Sequence, residues 1–348
     1  MSLTVDQINC YILPGRIEDV REGLEQAAAA ETLGLGGIFL SERWETKEIG
    51  SAMGALSQRT QRIKLVAGLT HFGTRHPLVL AGMASTMQSL SGNRFILGFG
   101  RSVPARFKRL GIPIVNNGGM ADHVAILRKL WAGETVTYDG PAGQYPEMRL
   151  GRRCDNPPPV ILGAIGPKTL ALGGAHFDGI LLHPFLTPEG VARSIAIARK
   201  AAEEAGRDPD ALLFYATVVA AVDGCTAQER ASIVESRIVS YLRHREIGTQ
   251  ILDMNGWDRA PMERLLARDL NELDFMPKDA LEAETILARA AEDLPPEWLS
   301  ASAAIGGPDQ CIARLHDYID AGASQILLHG PTPRHQAAII GGLNKAAS

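Results

Sequence analysis

Four short groups of residues in this chain have the types and spacing to do chemistry, and each follows an apolar run directly. Ser41-Glu42-Arg43-Trp44 sets a carboxylate beside a guanidinium. Such a pair can orient a substrate or stabilise developing negative charge, and it can equally form a structural ion pair that positions its loop. Ile63, Leu65 and Val66 give way to Ala67-Gly68, and Leu69, Thr70, His71, Thr74, Arg75 and His76 follow. Glycine inside a strand pattern marks a bulge, or a point where a ligand or another backbone comes close. One expectation is therefore a flat ligand lying against backbone where positions 67 and 68 carry almost no side chain; a simple bend is the other. Gly98-Phe99-Gly100-Arg101-Ser102 runs on to Arg106, Lys108 and Arg109. The glycines admit a ligand to the backbone and Arg101, nearest the apolar run, suits a phosphate or carboxylate, whereas Lys108 and Arg109 read as a solvated helix face. Gly163-Ala164-Ile165-Gly166-Pro167-Lys168-Thr169 is a glycine-rich turn with proline in the first turn of a helix. That arrangement leaves N–H groups facing an anion, as in a phosphate cradle, though it also suits a plain tight turn.

Other chemistries fit less well. His71, His76, His183 and His329 follow apolar runs. A metal-dependent hydrolase would need closely spaced histidines with carboxylates, and Tyr11-Ile12-Leu13-Pro14 after the first run has no histidine pair. There is no G-x-S-x-G elbow for a serine hydrolase, and no G-x-G-x-x-G after the first run for a Rossmann-type nicotinamide site. Cys10, Cys154, Cys225 and Cys311 lie far apart and form no C-x-x-C, so no disulfide framework or thiolate zinc site is expected.

The elements that must position these groups form a regular series. Short apolar runs at residues 7–12, 37–40, 63–69, 94–99, 160–162, 179–182, 213–221 and 325–328 read as strands. Most are continuously apolar, as parallel strands covered on both faces are. Helical patterns lie between them. Residues 17–33 place Ile17, Val20, Leu24 and Ala28 on one stripe with Gly34 as a stop; Thr187-Pro188-Glu189 opens a helix carrying Val191, Ile195 and Ala198; Pro308 opens one with Ile312, Leu315 and Ile319, closed by Gly322. Eight β-then-α units point to an α/β fold, a (β/α)8 TIM barrel, with a doubly wound open sheet as the alternative. Residues 223–307 are charged and mostly helical in pattern, and read as a helical insertion between strands 7 and 8 of a single domain spanning 1–348. Residues 140–159 read as a loop.

The net charge is -4 and aromatic residues make up 5%, which offers no general attraction for nucleic acid and few stacking platforms. Charged residues interrupt residues 1–25 early, and no apolar run reaches membrane-spanning length. A reduced, cytoplasmic protein with no membrane partner is expected.

Five segments, GGIFLSERW (36–44), GLTHFGTRHP (68–77), LSGNRFILGFGR (90–101), GAIGPKTL (163–170) and FDGILL (177–182), resemble the luciferase-like superfamily of barrel oxidoreductases. They are most similar to its coenzyme F420-dependent branch, and in particular to methylenetetrahydromethanopterin reductase and its relatives. The resemblance covers nearly the whole chain. It implies an oxidoreductase that binds F420, or alternatively FMN in a monooxygenase using reduced flavin and oxygen, at the C-terminal mouth of a barrel. It implies a non-proline cis peptide at Gly68–Leu69 behind the ring, with Thr70 beside it. It places Ala164, Ile165, Gly166 and Pro167, with Gly100 and Arg101, on the phosphate-bearing tail. A small-molecule substrate and a homodimer are further implications. Many relatives follow an acidic residue at the end of the second strand with histidine, where this chain has Glu42-Arg43. Arginine stays protonated and cannot act as a general base, so Glu42 becomes the expected proton carrier and Arg43 a binding group. A coenzyme carrier or sensor with little catalysis is the rival reading.

Overall fold

A computed structural model describes residues 3–14, 17–102, 104–268, 270, 273, 281–330 and 332–347. The strands among them are β1 (Ile8–Tyr11), β2 (Gly37–Leu40), β3 (Lys64–His71), β4 (Phe95–Gly100), β5 (Val136–Gly140), β6 (Gly143–Met148), β7 (Val160–Ala164), β8 (Gly179–Leu182), β9 (Leu213–Val222), β10 (Ala303–Gly306) and β11 (Gln325–His329). All eight predicted strands are present, as β1–β4, β7–β9 and β11. They alternate with helices and make a (β/α)8 barrel rather than the open doubly wound sheet.

The chain divides into two compact units, one of residues 1–36, 182–196 and 214–348 and the other of residues 37–181 and 197–213. In the second unit β2, β3, β4, β7 and β8 follow one another in that order, and the pairs from β2 to β7 are parallel. Every residue of β2, β4 and β8 is buried, which is why these strands read as unbroken apolar runs. Arg94, just before β4, is buried and donates to the carbonyl oxygens of Ser91, Ile63, Ser57 and Thr60 and to the Thr60 hydroxyl, at 2.7–3.1 Å. A buried guanidinium satisfied in this way fixes the starts of β3 and β4 against each other. In the first unit the order is β10, β9, β11, β1, all parallel.

Several predicted details differ from the structure. Residues 140–159 are not wholly a loop, because β5 and β6 pair there as an antiparallel hairpin. Residues 223–307 hold the predicted helices and also β10, which pairs with β9 from Ala303↔Val219 to Gly306↔Val222. The first helix spans Glu22–Thr32 and buries Gly23, Ala27 and Ala30, while Val20 precedes it and is exposed. Small residues thus form its contact stripe in place of the larger ones expected. The helices at Pro188–Glu204 and Pro308–Asp320 start where proline and the preceding cap predict.

Candidate active site

The end of β3 is irregular in the way its sequence suggests. Gly68–Leu69 is a cis peptide bond, and the pairing of β3 with β4 shifts register between Ala67 and Thr70. The expected hollow at positions 67 and 68 is absent, however. Ala67 is fully buried, and a Cβ on Gly68 would lie 2.4 Å from Cδ1 of Phe39 on β2. Gly68 is bare because the Phe39 ring fills that side. The neighbouring glycines make room for Leu69 instead: a Cβ would approach its side chain to 2.8 Å at Gly98, 3.0 Å at Gly100 and 2.4 Å at Gly163. Leu69 is half-buried and lies across a glycine lane on β4 and β7.

Glu42, after β2, is buried and fully engaged. It accepts two parallel bonds from Arg75, Nη1 to Oε2 at 2.6 Å and Nη2 to Oε1 at 2.7 Å, and the Thr70 hydroxyl donates to Oε2 at 2.5 Å. Arg75 Nη1 also donates to Thr70 Oγ1 at 3.1 Å, and Nη2 pairs with Glu48. The bond to Glu42, more than any other interaction, raises the Arg75 pKa. Glu48 caps the helix Ile49–Arg59 by accepting from the Gly50 and Ser51 N–H groups at 3.0 and 2.7 Å. Burial pushes the Glu48 carboxyl up, but these amide bonds, with the Ser51 hydroxyl and Arg75, outweigh it and hold the group down at about 2. The predicted candidates Glu42 and Thr70 are therefore brought together, by an arginine 33 residues along the chain from Glu42. No local spacing signals that contact. Arg43 stands beside this network, half-buried, with its backbone N–H donating to the Lys47 carbonyl at 3.4 Å.

His71, the last residue of β3, faces the Gly100 carbonyl through Nδ1 at 3.2 Å and meets Trp44 and Phe107 edge-on, at 5.5 and 5.4 Å between ring centres. Burial lowers its pKa, so the ring is neutral near pH 7 and Nδ1 carries the proton it donates. Arg106 lies over the Trp44 ring at 5.3 Å and pairs with Glu45. It is thus a partner of the loop after β2. Lys108 and Arg109 are exposed.

At the end of β4, Arg101 is exposed and its guanidinium contacts the Asn117 side chain. After β7, Gly166 caps the helix Pro167–His176 without any side-chain hydrogen bond to its first N–H groups. Pro167 has no N–H, and the Thr169 and Leu170 N–H groups donate to the Gly166 carbonyl at 3.0 and 2.9 Å, so the Lys168 N–H is the first-turn donor of the kind an anionic tail takes, as the Arg101 guanidinium is at the end of β4. Ala164 and Gly166 are buried and Ile165 half-buried, while Pro167 is exposed.

In the other unit, Tyr11 and His329, the last residues of β1 and β11, and His183 form one cluster, joined by Tyr241 from the helix Ser236–Leu242. The Tyr241 hydroxyl lies 3.3 Å from His329 Nε2, and its ring meets His183 edge-on at 4.6 Å. Burial lowers the His183 pKa to about 4, and Nδ1 faces the Pro184 carbonyl at 2.9 Å. Sequence reading singled out the histidines but not Tyr241, which sits in a charged helical stretch with no marking motif. Among the described residues no group of His, Cys, Asp and Glu could hold a metal ion, and no helix is long and apolar enough to cross a membrane.

The chain is 27% identical over 320 residues to 5,10-methylenetetrahydromethanopterin reductase of Methanolobus tindarius, covering 90% of this chain and 91% of that one. It is 26% identical over 325 residues to F420-dependent glucose-6-phosphate dehydrogenase of Nakamurella multipartita, covering 88% and 85%. Among solved structures, the coenzyme F420-dependent tetrahydromethanopterin reductase of Methanopyrus kandleri superposes with a TM-score of 0.76 at 20% identity over 96% of both chains. The pattern of the family described as luciferase-like monooxygenase matches residues 2–325, and this chain belongs to that family.

Proposed function

We propose that this protein is an oxidoreductase that uses coenzyme F420 to move a hydride to or from a small organic substrate. The observation that carries the reading is the bulge at the end of β3, where pairing with β4 shifts register between Ala67 and Thr70, in the segment whose resemblance to the F420-dependent branch implies the ring. The F420-dependent glucose-6-phosphate dehydrogenase named above, aligned over most of its length, supports the same coenzyme. When bound, the deazaflavin supplies two electrons as hydride, and the chain binds, orients and excludes water. We assign the ring to the backbone of Gly68, Leu69 and Thr70, and the anionic tail to Gly100, Arg101 and the turn Ala164, Ile165, Gly166 and Pro167. The Lys168 amide in the first turn after β7 fits a phosphate there.

Glu42 also takes a positioning role in this reading. Its carboxylate accepts from Arg75 and Thr70 and so holds the Thr70 hydroxyl in place. We assign Arg43, always cationic, to binding coenzyme or substrate.

FMN with oxygen is the second reading, favoured by the family's monooxygenases; the EDTA monooxygenase of Chelativorans sp. BNC1 shares the fold with a TM-score of 0.68 at 17% identity. Fluorescence titration of the purified protein with F420 and with FMN decides between them. Tight F420 binding with weak FMN binding is expected; preference for FMN reverses the order, and binding of neither overturns the assignment. A cytoplasmic homodimer acting without nucleic acid or membrane completes the proposal, and the mass in solution tests the dimer.

A further inference from the structure

We propose that His71 takes the proton from the hydroxyl of an uncharged, largely apolar alcohol as that alcohol gives up its hydride. This rests on the functional reading above, because hydride loss from a carbon that bears O–H is complete only when the hydroxyl proton leaves too. His71, Trp44, Phe107, Arg75 and Arg106 all lie in the unit of residues 37–181 and 197–213, together with every segment assigned above to the ring and the tail.

His71 ends β3 and pairs in register with Gly100, the last residue of β4, so it stands at C-terminal strand ends, the face on which barrels carry their chemistry. Thr70, whose backbone is assigned to the ring, precedes it directly. The Gly100 carbonyl can only accept, so Nδ1, 3.2 Å away, carries the imidazole hydrogen. In the neutral ring Nε2 is then a bare lone pair, and no hydrogen bond engages it among the described residues. Trp44 meets the imidazole at an interplanar angle of 65° and Phe107 at 89°, and the centres of those two rings lie 6.2 Å apart. One carbonyl and two aromatic rings thus fix the orientation of the imidazole. Its half-buried position leaves part of it within reach of a ligand.

A bare acceptor selects ligand groups that bear hydrogen, an alcohol in preference to a ketone. Trp44 and Phe107 make its surroundings apolar. The two cations whose charge acts on His71 are already matched, Arg75 with Glu42 and Glu48 and Arg106 with Glu45, which leaves neither free for a phosphate ester. Burial, with Arg106 and Arg75, lowers the His71 pKa against the Gly100 bond and the Glu42 charge, so Nε2 is unprotonated near pH 7. In the step, the hydroxyl O–H bond breaks and its proton passes to Nε2. The electron pair of that bond ends as the second bond of C=O, and the C–H pair leaves the carbon as hydride for oxidised F420. The imidazolium keeps its Nδ1 bond to the Gly100 carbonyl and returns the Nε2 proton to water.

The test uses the full chain with oxidised F420 and three probes: cyclohexanol, benzyl alcohol and glucose 6-phosphate. Reduction of the coenzyme by at least one of the two apolar alcohols is expected, faster than by glucose 6-phosphate. His71→Gln should lower kcat about a hundredfold or more and leave F420 affinity by fluorescence unchanged. In the wild type, kcat/KM should fall on the acid side with an apparent pKa below about 6.5, the ordinary histidine value, and His71→Gln should lose that limb. A packing role would leave the limb in place. In the apoprotein near pH 7, nitrogen NMR of His71 should show hydrogen on Nδ1 and none on Nε2, a readout that needs no variant. Wild-type turnover in His71→Gln, an acid limb that survives the substitution, or hydrogen on Nε2 overturns the role. Failure of both apolar alcohols despite coenzyme binding, or preference for glucose 6-phosphate, overturns the substrate class. Failure to bind F420 overturns the functional reading instead.

Discussion

At the scale of single residues, the site is organised by one buried ion pair. Glu42 has no exposed side-chain surface and Arg75 is only 15% exposed, so removing Glu42 leaves the half-exposed Glu48 as the one carboxylate on Arg75, and removing Arg75 leaves a buried carboxylate without its cation. Glu42→Gln is expected to cost about 3 kcal/mol in urea unfolding, and circular dichroism should still report a folded barrel. Glu48 gives a pH signature. Its carboxyl is held at about 2 in the folded state against an ordinary value of 4.5, so its contribution is present above that ordinary value and is lost as pH falls towards 2. Acid titration of stability should show this loss, and Glu48→Gln should flatten the curve over the same window. Glu42 and Thr70 were legible in the sequence as candidates, because each follows an apolar run. Their joining through Arg75 was not, since a contact across 33 positions leaves no periodic trace.

At the scale of elements, strands that are apolar on both faces announced themselves, while those of other composition did not. β2 and β8 have the predicted limits, because buried parallel strands need unbroken apolar residues. The β5–β6 hairpin is largely exposed and rich in glycine and proline, and β10 is Ala-Ala-Ile-Gly, too small to stand out from its helical surroundings. The same weighing of volume predicts a mutational result in β3. Gly68→Ala drives a methyl into the Phe39 ring and should destabilise the protein by about 1–3 kcal/mol. Combining it with Phe39→Leu should recover part of that loss in thermal unfolding, whereas a simple sum of the two costs would show that the clash lies elsewhere.

For the whole molecule, the barrel, its family and the bulge at β3 could be expected from ordered motifs spread over nearly the whole length, yet the hollow expected behind that bulge proved to be an occupied one. Ligand binding should nonetheless register on global stability. Saturating F420 at about 100 times its dissociation constant should add about 2.7 kcal/mol to unfolding, read as a raised melting temperature that FMN does not match at the same concentration.

Leu69 has a consequence for which molecules the barrel can take. Its isobutyl group is a stopper resting on bare main chain at Gly98, Gly100 and Gly163. Trimming it by Leu69→Ala would deepen the floor without moving a strand, and the pit so formed would have walls of peptide and small alkyl groups. Xenon or benzene should then bind measurably where the parent protein takes neither. Residue 69 would act as a depth stop, setting by its length alone how far a guest descends.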